Sequence, residues 1–413
     1  MDPVRNPYAP GAGQRPPELA GRDAELDAFD VVLERIARGR PERSIVLTGL
    51  RGVGKTVLLN AMRSAAVRAR WGTGKLEARP DQALRRPLAA ALHLAVRELA
   101  PRHKDGADQV LGVLKSFAMK EDGPGSSGSG PRGAPRLRDR WQPGIEAAAV
   151  PGRADSGDIE IDLVELLTDI GGLAADCGRG VAVFIDEMQD LGADDVSALC
   201  AAAHEISQTG LPFVVVGAGL PHLPAVLSAS KSYSERLFRF ARIDRLDAPA
   251  ADRALRTPAQ EEGADWTPDA LAAMYAATAG YPYFVQAYGK VAWDVAPATP
   301  ITVDDVKVAA PEAETELAVG FFGSRYERAT PAEREYLRAM ADLAVPGDGG
   351  SVPAVEEPVA TSSIADLLGR KPQSLSPARD ALIKKGLVYS GERGRIAFTV
   401  PHFGRYLRQH AGD

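Results

Sequence analysis

The spacing of apolar residues changes several times along this chain, and each change marks an element. Leu26, Phe29, Val32, Leu33 and Ile36 recur at three- and four-residue intervals, which predicts a helix over 18–37 ended by Gly39-Arg40-Pro41. Ser44-Ile45-Val46-Leu47-Thr48 is a short run of strand length and β-rich composition, and Val57-Leu58-Leu59-Asn60-Ala61-Met62 returns to a helical pattern. Further on, the pattern predicts helices over 159–175 and 194–208 and strands over 181–185, 213–217 and near 242–246. Strands alternating with helices predict an α/β fold, a parallel sheet covered on both faces. From 249 to 319 no strand pattern remains. Helix starts are marked there and just beyond by Thr267-Pro268-Asp269, by Thr302 with Asp305, and by Thr330-Pro331-Ala332-Glu333.

Two stretches depart from any periodicity. Residues 1–17 hold Pro3, Pro7, Pro10, Pro16 and Pro17 with Gly11 and Gly13, and read as an extended arm. Between Gly123 and Pro135 stand five Gly, three Pro and three Ser, too little apolar surface to offset ordering entropy, so about 120–157 reads as a flexible insertion within one domain. The expected organisation is an arm over 1–17, an α/β core over 18–247, a helical region over 248–320 and a small module over 321–413. No internal repeat emerges.

Composition narrows the class. With 45% hydrophobic and 25% charged residues the 413-residue chain is ordinary for a globular protein, and the two cysteines, Cys177 and Cys200, exclude a disulfide framework or a C-x-x-C metal site. Neither a signal-peptide core after Met1 nor an apolar run of about 18 residues is seen, so the expected location is cytoplasmic, with no membrane partner. The net charge of −6 argues against a protein that coats nucleic acid over its whole surface.

The chemistry begins after the first apolar run. Gly49-Leu50-Arg51-Gly52-Val53-Gly54-Lys55-Thr56 fits G-x-x-x-x-G-K-[ST], with a strand before it and a helix after it. Backbone N–H groups of such a loop and the helix N-terminus cradle phosphate oxygens. Lys55 would reach the β- and γ-phosphates, and the Thr56 hydroxyl would hold Mg²⁺. The run Val181-Ala182-Val183-Phe184-Ile185 ends in Asp186-Glu187, at the carboxyl end of a strand, where open α/β sheets bind ligands. Asp186 would hold Mg²⁺, mostly through water, and Glu187 would orient and polarise the attacking water. Asp190 reads as a helix cap or surface charge.

Together, Gly21-Arg22-Asp23-Ala24-Glu25-Leu26, the loop with its Arg51-Gly52, and Phe184-Ile185-Asp186-Glu187 resemble the AAA+/STAND group of P-loop ATPases, most of all its origin-recognition-complex-like and archaeal-type branch. Gly280-Tyr281-Pro282-Tyr283 resembles that branch's G-x-P motif in the lid, and also reads as a plain helix stop and restart. The resemblance implies ATP and Mg²⁺ as ligands, with nucleotide contacts at Gly21, Arg22, Gly49, Arg51, Gly52, Val53, Gly54, Lys55, Thr56, Val57 and Pro282. It implies catalytic roles for Lys55 and Glu187. Arg22 has the alternative of a surface role. Arg236, just before the last strand, sits where the family often places an arginine finger acting in trans, which would require a homo-oligomer; a salt-bridged surface arginine is the alternative. Two family features are missing: the strand at 213–217 ends without a polar sensor residue, and no unmistakable second-sensor arginine stands in the lid.

Near the C-terminus, helical patterns over 363–369 and 374–385 precede two short apolar runs joined by Gly391-Glu392-Arg393-Gly394, an order similar to a winged helix. Residues 361–413 carry nine Lys/Arg against four Asp/Glu, so the basic charge is local. A basic winged helix can place its second helix in the DNA major groove. Gln373, Ser374, Ser376 and Arg379 would face bases, and Lys371, Lys384, Arg393 and Arg395 would contact phosphates. A protein-contacting winged helix is the alternative. The functional expectation is thus a DNA-associated ATPase, or a signalling switch whose winged helix contacts protein; a small-molecule kinase fits poorly.

Overall fold

A computed structural model describes residues 1–11, 13–120, 144–344, 358–390, 393–400 and 402–410. Five parallel strands, β1 (Ser44–Thr48), β2 (Gly72–Glu77), β3 (Val181–Asp186), β4 (Phe213–Gly219) and β5 (Phe238–Arg242), lie in the order β2-β3-β4-β1-β5. The central strands β3 and β4 are buried along their whole length, which is why they read as unbroken apolar runs. Helices α1 (Asp23–Ala37), α2 (Lys55–Arg68), α3 (Arg85–Leu99), α4 (Lys104–Met119), α5 (Ile159–Asp176) and α6 (Ala193–Thr209) cover the two faces, and the short α7 (Leu223–Ser230) and α8 (Ser234–Leu237) lead into β5. The α/β class is the expected one.

Two strands differ from expectation. β5 ends at Arg242, so the strand expected near 242–246 lies about four residues too late. As an edge strand β5 is buried only at Phe238, with Arg239 and Arg242 exposed, and such a mixed pattern is a weaker signal than a continuous apolar run. β2, Gly-Thr-Gly-Lys-Leu-Glu, carries no apolar run at all. Its glycines let α3 lie directly on the strand: a Cβ on Gly72 or Gly74 would stand 2.5 Å from the carbonyl oxygen of Ala95 or Ala91.

Of the segment expected to be a flexible insertion, 121–143 lies outside the described residues. Its remainder, 144–157, is packed rather than flexible: Ile145 and Ala154 are buried, and Lys115 Nζ donates to the carbonyls of Ile145 and Ala147 at 3.0 Å. The arm is also seated. The Tyr8 hydroxyl donates to the Leu255 carbonyl and accepts from Trp266 Nε1, and its ring meets Trp266 and Trp293 edge-on.

After β5 come four helices, α9 (Ala248–Glu261), α10 (Pro268–Thr278), α11 (Pro282–Val295) and α12 (Val303–Leu317). The Thr267 cap and the reciprocal Thr302–Asp305 capping box start two of them, as the sequence implied. A π-helical turn at Ala318–Gly323 and the short α13 (Ser324–Tyr326) lead to the last module. There α14 (Pro331–Leu343), opened by the Thr330–Glu333 capping box, is followed by β6 (Val359–Ala360), α15 (Thr361–Leu367), α16 (Pro372–Lys384), β7 (Val388–Tyr389), β8 (Arg395–Phe398) and α17 (Phe403–His410). The three short strands form an antiparallel sheet in the order β6-β8-β7; the turn residues Gly391-Glu392 lie outside the described residues. Aromatic rings join lid and module: Phe322 stacks on Phe403 and Tyr406, and Phe321 on Tyr283.

Candidate nucleotide site

The loop between β1 and α2 turns through Gly52 (φ 84°) and Gly54 (φ 90°), and Gly54 is the N-cap of α2, so the first N–H groups of that helix face the loop's hollow. Lys55 is 8% exposed, and its ammonium donates to the carbonyls of Gly49 and Leu50 at 2.9 and 2.8 Å. Burial pushes that ammonium down to about 8; Glu187 and Asp186 oppose the shift and Arg51 adds to it. Thr56 follows as the second residue of α2.

Beside the loop lies a small cleft. Arg22, Val53, Gly54, Val57 and Pro282 line it, five of the residues expected at the nucleotide, with Pro16 of the arm and Leu19 just beyond it closing one side. Its walls are mostly apolar, which suits the faces of a flat heterocycle. Arg22 is buried, and its guanidinium bonds the carbonyls of Val53 and Asp244 at 3.0 and 2.5 Å, and that of its neighbour Gly21 at 3.0 Å. It therefore ties the loop to the stretch after β5; the surface alternative for Arg22 does not hold.

At the end of β3, Asp186 is 5% exposed and accepts the Glu187 N–H at 3.0 Å. Glu187 has φ 50°, an uncommon backbone for a residue with a side chain. Its carboxylate accepts from Gln189 Nε2 at 2.7 Å. Asp190 is half-buried rather than a surface charge: burial, then the nearby Glu187, push its carboxyl up to about 6. Gln189 was not singled out in the sequence; the only signal for it is its place two residues beyond Glu187.

The C-terminal module and the lid reach this loop. The Arg51 N–H donates to the carbonyl of Thr399 at 3.0 Å, and the Tyr283 N–H to that of Gly52 at 3.4 Å. The Arg51 guanidinium lies against Gly386, and Arg51 Nε is buried without a hydrogen-bond partner among the described residues. Arg325 sits over the Phe321 ring at 4.0 Å, and burial, then Arg51, push its guanidinium down to about 10. Tyr283 belongs to the Gly280–Tyr283 motif, but Thr399, Gly386 and Arg325 come from segments far from the loop, and local patterns carry no trace of them.

The other expected positions are dispersed. Arg236 is exposed on α8, with no side-chain partner among the described residues. Lys371, Gln373 and Ser374 are exposed at the start of α16, and Arg393 is exposed before β8. Ser376 and Arg379 are half-buried; Arg379 pairs with Asp380 at 2.8 Å. Lys384 pairs with Asp81 of the core at 3.3 Å, and Arg395 donates to the Pro358 carbonyl at 3.2 Å. Among the described residues no helix is long and apolar enough to cross a membrane.

Comparison with known proteins agrees with this geometry. Residues 18–216 match the family model of the AAA ATPase domain, and residues 319–407 match one described as a domain of unknown function. No curated protein sequence matches. Among solved structures, a Walker-type ATPase of Pyrococcus abyssi is similar over 95% of this chain and 97% of its own, at 16% identity and a TM-score of 0.56. The RuvB Holliday junction branch migration motor of Thermotoga maritima is 16% identical over 94% and 96% of the two chains, with a TM-score of 0.45. The Aeropyrum pernix ORC1 protein, solved in complex with DNA, is 16% identical over 96% and 94%, with a TM-score of 0.42. The last two scores are too low to add to the assignment, and the first establishes a shared fold. The chain has the α/β fold of P-loop NTPases, and its residues 18–216 are similar to the AAA ATPase domain.

Proposed function

We propose that this chain binds Mg-ATP, hydrolyses it to ADP and phosphate, and couples the state of its nucleotide to the seating of a C-terminal winged helix on the phosphate loop. The observation that carries the coupling is the hydrogen bond from the Arg51 N–H to Thr399: a backbone donor of the loop is engaged by the last module. A phosphate that draws in that N–H competes with Thr399 for it. The order α14, β6, α15, α16 and the β7–β8 hairpin supports the winged-helix reading.

In this reading the apolar cleft takes the adenine, and Lys55 and the N–H groups of 49–56 take the phosphates. Thr56 and Asp186 supply hard oxygen donors of the kind Mg²⁺ selects. Among the described residues no three His, Cys, Asp or Glu side chains converge into a metal cage, but Mg²⁺ with a nucleotide needs only one or two protein ligands beside phosphate and water. Bound there, the ion would neutralise charge developing on the phosphates. Glu187 accepts a proton from the attacking water as its oxygen bonds the γ-phosphorus and the bond from that phosphorus to the β–γ bridging oxygen breaks, releasing ADP. Arg236 would serve a neighbouring subunit's phosphates in a homo-oligomer.

A second reading, DNA association, is favoured by the basic surplus of residues 361–413 and the exposed Lys371, Gln373 and Ser374. Lys384 would then exchange Asp81 for a DNA phosphate, so the core and DNA compete for α16. Titrating the full chain with a fluorescent duplex from low to high salt, with and without a non-hydrolysable Mg-ATP analogue, tests this. Salt-sensitive binding that the analogue strengthens supports DNA association; no binding at low salt leaves the protein-contacting switch. ATP turnover abolished by Lys55→Ala tests the ATPase reading itself.

A further inference from the structure

β4 lies between the strand that feeds the phosphate loop and the strand that ends in the two carboxylates, yet its last residues, Gly217-Ala218-Gly219, bring no polar side chain to the site. What lies at its end instead is the side chain of Gln189. Gln189 Oε1 accepts the Leu220 N–H at 3.0 Å, while Gln189 Nε2 donates to Glu187 Oε2 at 2.7 Å. Gly219 makes room for this: a Cβ there would stand 2.8 Å from Gln189 Oε1. On its other side, the Gly219 carbonyl accepts the N–H of Gly49, the first residue of the phosphate loop, at 3.2 Å.

We infer that Gln189 is the positioning residue for Glu187, and that through Leu220, Gly219 and Gly49 it ties the carboxylate that activates water to the loop that holds phosphate. The inference rests on the ATPase reading above. An amide suits the task because it donates a hydrogen bond to a carboxylate without bringing a charge of its own. The backbone at Glu187, with its positive φ, fixes where the side chain starts, and Gln189 fixes where it ends. Movement of the phosphate loop is passed along backbone groups of β4 to the base, a task that a polar side chain on this strand would otherwise perform.

Two variants of the full chain separate the halves of the link. Gln189→Met keeps the length and removes both hydrogen bonds. Gln189→Glu keeps an acceptor for Leu220 and replaces the donor to Glu187 with a second negative charge. Expected for Gln189→Met is kcat lower by roughly tenfold or more with KM and nucleotide affinity within about twofold, because only the base is disturbed. Gln189→Glu is expected to lower kcat at least as far, because the new charge repels the Glu187 carboxylate instead of holding it. Amide exchange at Leu220 speeds up in Gln189→Met and stays slow in Gln189→Glu. Unchanged kcat in Gln189→Met, or unchanged exchange at Leu220 in that variant, overturns the inference. Absence of ATP turnover in the unaltered protein overturns the ATPase reading instead, and Leu220 exchange then decides whether the link exists.

Discussion

Arg85 and Asp162 form an ion pair at 2.9 Å in which the side chains are 2% and 0% exposed. The guanidinium also lies over the Phe117 ring at 4.5 Å and donates to the Phe117 carbonyl, so α3, α4 and α5 meet at one buried charge. Burial pushes the Asp162 carboxyl up, but hydrogen bonds from Ser156, Arg85 and Gly157 outweigh it and hold it below the ordinary carboxylate range. Asp162→Ala leaves Arg85 buried and uncompensated, and is expected to cost about 3–5 kcal/mol. Urea unfolding checks this. Because the folded carboxyl is the stronger acid, its contribution is complete above the ordinary Asp range and is lost as pH falls through the folded value, so the difference between the two proteins shrinks toward low pH.

Gly74→Ala places a methyl group 2.5 Å from the Ala91 carbonyl oxygen, a backbone atom that cannot swing away. Either α3 lifts or β2 shifts, with an expected loss of about 1–3 kcal/mol. Thermal unfolding measures it. Gly39→Ala, at a site with nothing near its Cβ but a left-handed backbone, should cost only about 1 kcal/mol.

These two sites mark where sequence reasoning succeeds and where it stops. The phosphate loop, Asp186-Glu187, and the Thr267, Thr302 and Thr330 caps are local, so a short pattern specifies each. β3 and β4 are legible because burial on both faces demands unbroken apolar residues. β2 is not, because the close approach of α3 replaces side chains with glycine. Arg85–Asp162, Arg51–Thr399 and Gln189–Leu220 join residues 77, 348 and 31 positions apart, and nothing in the local spacing of either partner announces the other.

Lys55 carries a pH signature. With its ammonium at about 8 in the nucleotide-free protein, the charged form dominates below that pH. Above it, binding an anionic phosphate requires taking up a proton, so affinity for ATP falls by up to about tenfold per pH unit until the value in the complex is reached. Isothermal titration from pH 7 to 9.5 should show constant affinity at first and proton uptake beyond about pH 8.

Glu187→Gln keeps the shape of the side chain and removes its basicity. Nucleotide affinity should stay within about threefold while turnover drops by roughly 10²–10⁴. Normal turnover in this variant would transfer the base role elsewhere.

Gly386 lies against the Arg51 guanidinium with φ 64°. Gly386→Ala strains the backbone by about 1 kcal/mol and crowds the seat of Arg51. The expected outcome is looser docking: faster amide exchange at Arg51 and faster association with ATP, read by stopped-flow with a fluorescent analogue. Unchanged exchange would mean that the module is held mainly by the aromatic rings around Phe322.

The cover that Thr399 provides also has a date in the life of each molecule. During synthesis the phosphate loop emerges first and its partner about 350 residues later, which at about 5–20 residues per second is an interval of roughly 20–70 s. Over that interval a newborn chain can fold its loop while Arg51 has no Thr399 to meet. On the proposed reading, nucleotide would thus meet the loop before its cover exists, so that a molecule's first nucleotide would arrive without displacing Thr399.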